Sequence, residues 1–325
     1  MDIALFLIMI SSGSLLGVSV FGRRFEEGLP VTCGGLILWL YGFGLCGQLP
    51  MGVYTACALA ALMCVFSLLW AVWKKQIGEF LAGVCTPGAI FFFAAVALCG
   101  YCVSGKLFDA VEELSHYGDA VRAMIMVDGL NLAENSQAIF RADLPGLYLL
   151  QYLLQKLYVL KTAETFCEWR TYLPAAVLAI AFVAPSLRGL TLRQAGYALP
   201  VCAALLIAPL LIGQNVYLVL SPLPVLCVVM ASGIMSLREC GQGNGMAVLR
   251  VVACCVVLSL LHESGIAFAL VLAIAAILAL QYAGKDIRKN LLTCAALAGA
   301  AVLPGLSWAL AAGCSVLPEP LSALT

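Results

Sequence analysis

"VVACCVVLSLLHESGIAFALVLAIAAILAL", residues 251–280, is two apolar runs around one short polar break, His262 to Gly265. A strand of a membrane barrel would alternate polar and apolar side chains. Neither run alternates. In lipid, only helices and closed barrels satisfy the backbone N–H and C=O groups. The stretch therefore reads as a helical hairpin in a bilayer. The rest of the chain repeats the pattern: its 325 residues are 63% hydrophobic and 10% charged, with a mean hydropathy of +1.05.

Working outward, apolar runs of crossing length fall at roughly 3–21, 31–49, 52–73, 84–103, 173–187, 196–212, 216–236, 247–261, 265–283 and 291–313. The expected class is an all-α polytopic membrane protein of about ten transmembrane helices, with a long outer loop carrying amphipathic or re-entrant helices. Three regions follow: N-terminal transmembrane helices over 1–103, the outer loop over 104–172, and C-terminal transmembrane helices over 173–325. A net charge of zero offers nucleic acid no electrostatic footprint.

The 15 cysteines are no disulfide framework. Most sit inside apolar runs, where a thiol packs as a small hydrophobe. Cys254 and Cys255 are adjacent, and no pair has zinc-ligand spacing.

Orientation comes from Lys and Arg in short connections. Arg23 and Arg24, Lys74 and Lys75, Arg188 and Arg193, Arg238 and Arg250, and Lys285, Arg288 and Lys289 all fall between runs on one side, provided 104–172 does not cross. The turns near Gln48, Gln214 and His262 carry no basic residue. Positive charge first appears after the opening apolar run, which reads as a retained span with its N-terminus outside. The expected location is a bacterial cytoplasmic membrane, with the 104–172 loop outside.

That loop holds 9 of the 17 acidic residues and 6 of the 17 basic ones. Leu107, Val111, Leu114, Val121 and Ile125 recur at helical spacing, which predicts one amphipathic surface helix over about 106–130. Asp109, Glu112, His116 and Asp119 would form its opposite face. A second helix is expected over about 146–161, opened by Pro145, lying in the interface without crossing.

Glu112 and Glu113 can take a proton or hold a divalent metal ion; the plainer reading is a solvated helix face. His262, in "LLHESG" (260–265), is a candidate polar group at a membrane edge, or simply part of a tight turn. Arg141 and Asp143 precede a helix start that could face a phosphate, or Asp143 is only its cap.

The order "CTPGAIFFF" (85–93), "VEELSHYGDAVRAMIMVDGL" (111–130), "ENSQAIFRADLPGLYLLQYL" (134–153), "LLHESGIAFAL" (260–270) and "LPGLSWAL" (303–310) resembles the bacterial C-type membrane glycosyltransferases. That superfamily includes the protein mannosyltransferases and the lipid A aminoarabinose transferases. The resemblance runs over nearly the whole chain. It implies an inverting hexosyl or pentosyl transferase that passes a sugar from a polyprenyl-phosphate donor to a glycan, lipid or protein acceptor at the outer face. Carried over by position, it makes Glu112 and Glu113 the catalytic pair, or the ligands of any metal. His116, Pro145, Gly146 and His262 fall on motif positions and would bind substrate, while Arg122, Arg141 or His262 would supply the cation that the donor phosphate needs near the outer interface. Glu112 stands where the family has Asp, and His262 where it has Lys. A diverged or non-catalytic scaffold is therefore one alternative, and a transporter or flippase of a lipid-linked or small substrate is another.

Overall fold

The computed structural model describes residues 2–162, 164–190, 220–282 and 291–313. Every regular element among them is helical. The order is α1 (Asp2–Phe21), α2 (Phe25–Leu45), α3 (Leu49–Trp73), α4 (Ile77–Val84), α5 (Pro87–Val103), α6 (Gly118–Val127), α7 (Gly146–Thr162) and α8 (Glu168–Val183), then α9 (Leu223–Gly241), α10 (Gly245–Leu261), α11 (Gly265–Tyr282) and α12 (Leu291–Ala311).

Among the described residues, seven helices are long and apolar enough to cross a membrane, and α4 with α5, bent by 49°, makes an eighth if the pair is one span. The opening hairpin is α10 and α11, and α10 falls just short of crossing length. The expected run at 196–212 and the turn near Gln214 lie outside the described residues, as do Arg193, Lys285, Arg288 and Lys289. The architecture is that of an integral membrane protein.

Helix starts follow local chemistry. Thr86 caps α5 by accepting from the Ala89 N–H, with Pro87 in the first turn, where its missing N–H loses no bond. Asn244 caps α10 by accepting from Met246 N–H. α10 is the hub, buried along nearly its whole length and packed on α2, α9, α11 and α12. The outer helices expose large apolar side chains such as Leu62, Leu69, Val271 and Leu292. A soluble protein would bury these; a bilayer solvates them.

The bundle has two chemically different ends. Arg23, Arg24 and Lys74 border one shared cavity at the first, here the basic end. Arg188 bonds there to Glu27 on α2 and Glu239 on α9. The other is the cap end, where residues 104–145 and α7 lie. Gly146, at the start of α7, packs on the Leu260 carbonyl near the C-terminus of α10. The opposite half of α7 returns to the start of α8, where Gln155 bonds Cys167 and Thr171. Both ends of α7 therefore lie at the cap end, and α7 is not among the described helices long and apolar enough to cross. That is the condition under which the basic connections share one side.

Candidate functional site

The chain leaves α5, and Phe108 N–H donates to Glu168 at the start of α8, 2.8 Å away. Helix begins only at Val111, so the single helix expected from 106 is corrected. Its first full turn is a π-type turn: Gly118 N–H reaches back five residues to the Glu113 carbonyl. The extra residue rotates the upstream side chains relative to α6. Val121 stays buried, but Leu107, Val111 and Leu114 are exposed, contrary to the expected inward stripe. Gly118 is required here, since a Cβ would sit 2.3 Å from the Glu113 carbonyl oxygen.

The same rotation separates the two glutamates. Glu113 is buried and accepts from the Tyr172 hydroxyl at 2.6 Å and from Asp109 N–H at 3.3 Å. Lys106 approaches it at 3.7 Å while lying over the Tyr172 ring. Glu112 is exposed and meets no hydrogen-bond or ion-pair partner among the described residues. The pair does not converge as metal oxygen ligands. Among the described residues no group of three or more His, Cys, Asp or Glu side chains is placed to hold a metal ion.

What the structure brings together is His116 and Asp143. The His116 Nε2 bonds directly to an Asp143 carboxylate oxygen. The imidazole stacks on Tyr117 at 4.4 Å between ring centres and packs on Phe140 at 4.2 Å. Asp143 also accepts from the Tyr148 hydroxyl at 3.1 Å. Burial, then the Asp143 charge, pushes the Tyr148 phenol well above the ordinary tyrosine range, so it stays a donor. Both His116 and Asp143 remain partly exposed. A carboxylate fixes the ring and stabilises the imidazolium, leaving Nδ1 to exchange a proton.

The loop presenting Asp143 is held from the far end of the sequence. Trp308 Nε1 donates to the Ala142 carbonyl at 2.8 Å. The preceding Ser307 bonds Tyr41 on α2 at 2.7 Å. Pro145 and Gly146 are buried and act as the seat of α7. A Cβ on Gly146 would meet the Leu260 carbonyl oxygen at 2.7 Å. "RADLPG" and "LPGLSWAL" thus meet in space.

The remaining candidates are dispersed. Arg122 pairs with Glu168 at 3.4 Å and lies near the Phe166 ring. Arg141 is exposed and donates to the Ser136 carbonyl. His262 closes α10, and its Nδ1 meets only Ser264 of its own turn, at 3.0 Å to the hydroxyl. None of the three contacts His116, Asp143 or Glu112 in the hydrogen bonds and ion pairs of the described residues. Asp143 was legible only as a possible helix cap; nothing in its spacing ties it to His116.

A second polar cluster lies at the basic end. Glu27 pairs with Arg188 at 2.9 Å, Arg188 also bonds Glu239, and Glu239 pairs with Arg250 at 2.6 Å. Arg250 was expected in a connection; it lies inside α10 and is 2% exposed. A buried Arg persists because Glu239 neutralises it. Glu26, fully buried nearby, accepts from the Thr86 hydroxyl.

No family model matches this chain, no curated protein does, and no solved structure does.

Proposed function

We propose that the protein is a membrane transferase whose reaction centre is the His116–Asp143 pair at the cap end. The observation that carries this reading is the imidazole–carboxylate–phenol chain of His116, Asp143 and Tyr148, the arrangement of a general base. The order of short motifs, similar to that of the polyprenyl-phosphate-dependent glycosyltransferases, supports a lipid-linked sugar as donor. In this reading Nδ1 of His116 takes the proton of an acceptor hydroxyl. The acceptor oxygen bonds to the anomeric carbon, and the carbon–oxygen bond to the lipid phosphate breaks. The phosphate leaves with the electron pair, inverting the anomeric centre. Asp143 holds the imidazolium, and the exposed Arg141 is available to the departing phosphate. By the charge rule the cap end faces outward from a bacterial cytoplasmic membrane.

The test is sugar transfer from a labelled polyprenyl-phosphate donor by the purified chain, with Asp143→Asn and Glu112→Gln side by side. Loss in the first with activity in the second supports His116 as base. Loss in the second alone moves the base to Glu112.

One observation favours a second reading, transport of a lipid-linked or small substrate. The Glu27–Arg188–Glu239–Arg250 cluster puts ionised groups within the bundle, where transport pathways carry them. Substrate movement across liposomes without glycosylated product would establish it. Neither transfer nor movement would leave a scaffold.

A further inference from the structure

The basic end holds a feature that neither reading uses. Between α1, α2 and α3 runs an apolar groove of about 360 Å³, closed on one side by Met246 and Leu249 of α10. Its walls are cut back by Gly13, Gly17, Gly28 and Gly35. At Gly17 and Gly35 a Cβ would meet nothing within 4 Å. A second cavity of about 570 Å³ shares Phe21, Met246 and Leu249 with the groove and extends to Arg23. Arg23 in turn borders a third cavity, of about 780 Å³, with Arg24, Lys74 and Glu79. Arg23 thus stands between the apolar end of the groove and a mouth that Arg24, Lys74 and Glu79 also line.

Two further observations define that mouth. Arg23 and Arg24 are partly buried, yet neither guanidinium has a hydrogen-bond or ion-pair partner among the described residues. Lys74 lies over the Trp73 and Trp70 rings, at 4.6 and 5.3 Å from their centres. Tryptophan concentrates at headgroup level, which puts the mouth where lipid phosphates lie. A groove open to the bilayer does not stay empty, because its walls would forfeit their dispersion contacts. The nearest occupant is a lipid chain.

We infer that this groove and mouth bind one anionic phospholipid, an acyl chain along Gly17 and Gly35 and its phosphate between Arg23 and Arg24. The occupant comes from the leaflet at the basic end. Arginine is suited to the phosphate, since its planar fork donates two N–H groups to two oxygens. A zwitterionic lipid fills the groove equally well but brings a cation to a mouth already positive.

The test uses the full chain in detergent, exchanged against phosphatidylglycerol or phosphatidylcholine of matched chains, with bound lipid read by native mass spectrometry. Wild-type protein retains phosphatidylglycerol in preference. Arg23→Gln and Arg24→Gln each lower that retention about fivefold, and together about twenty-five-fold, at roughly 1 kcal/mol per basic residue. Gly17→Leu and Gly35→Leu, which fill the groove, lower retention of both lipids in monodisperse protein. Equal retention of the two lipids by wild type would overturn the inference. So would displacement of phosphatidylglycerol by inorganic phosphate alone, or a second copy of the chain covering a lipid-free groove.

Discussion

His116 and Asp143, 27 positions apart, are bonded side chain to side chain at the cap end, with Tyr148 completing the chain from the first turn of α7. An imidazole oriented by a carboxylate is poised to take a proton. The arrangement predicts that Asp143→Asn lowers sugar transfer by about 10²–10⁴-fold, the usual contribution of a positioned base. The loss falls on kcat, with KM little changed, because the pair acts on the proton in flight. Steady-state kinetics on the monodisperse variant check this.

The two neighbouring glutamates should behave oppositely. Glu113→Ala removes the nearer acceptor of the Tyr172 hydroxyl, at 2.6 Å, and leaves it the longer contact to the Leu107 carbonyl at 3.4 Å. A loss of about 1–3 kcal/mol of stability follows. Glu112→Gln, at an exposed position, leaves the melting temperature where it was. Thermal unfolding of both variants in the same detergent separates them.

Trp308 acts on Asp143 through the backbone of Ala142. Trp308→Phe keeps the ring and deletes only the N–H donor. Transfer is expected to fall about tenfold, the equivalent of roughly 1.4 kcal/mol. In an Asp143→Asn background the same change has no further effect, because the loop no longer presents a carboxylate. A double-mutant cycle on transfer rates reads this coupling.

Gly146→Ala drives a methyl into the Leu260 carbonyl, which sits on α10 and cannot swing away. The expected destabilisation is about 1–3 kcal/mol, as for other overpacked sites. Limited proteolysis should find the 131–145 segment cut first, since α7 loses its seat.

Among the described residues, Arg250→Leu leaves Glu239 with Arg188 and Asn244 as partners. Glu239 is partly exposed and keeps Arg188, so the loss is that of one charge-assisted hydrogen bond, about 1.5–3 kcal/mol. Unfolding measurements should show that loss, while transfer per folded molecule stays near wild type.

The fold was largely legible because lipid leaves the backbone few options. Runs such as Val251–Leu261 and Leu291–Ala311 announce helices by length and composition. The basic connections required that 146–161 not cross, and α7 is not among the described helices long and apolar enough to do so. The local turn at Glu113 was not legible. A π-type turn differs from an α-turn by one shifted hydrogen bond, and "ELSHY" carries no signal for it. One inserted residue was enough to bury Glu113 and expose Val111. Arg250 was misplaced because its partner, Glu239, reaches it from α9, a contact that spacing along the chain does not show. His116 was singled out by rarity alone; its partner was hidden because the link crosses a loop whose path is set by Trp308, far along the chain.

Whether His116 and Asp143 form a reaction centre is decided by one assay: release of polyprenyl phosphate from a labelled polyprenyl-phosphate sugar, with hydroxyl acceptors, by purified wild-type and Asp143→Asn protein. Wild type is expected to turn over, and the variant to fall by about 10²–10⁴-fold. Equal turnover by the two proteins, or none by wild type with any sugar and acceptor offered, would contradict it.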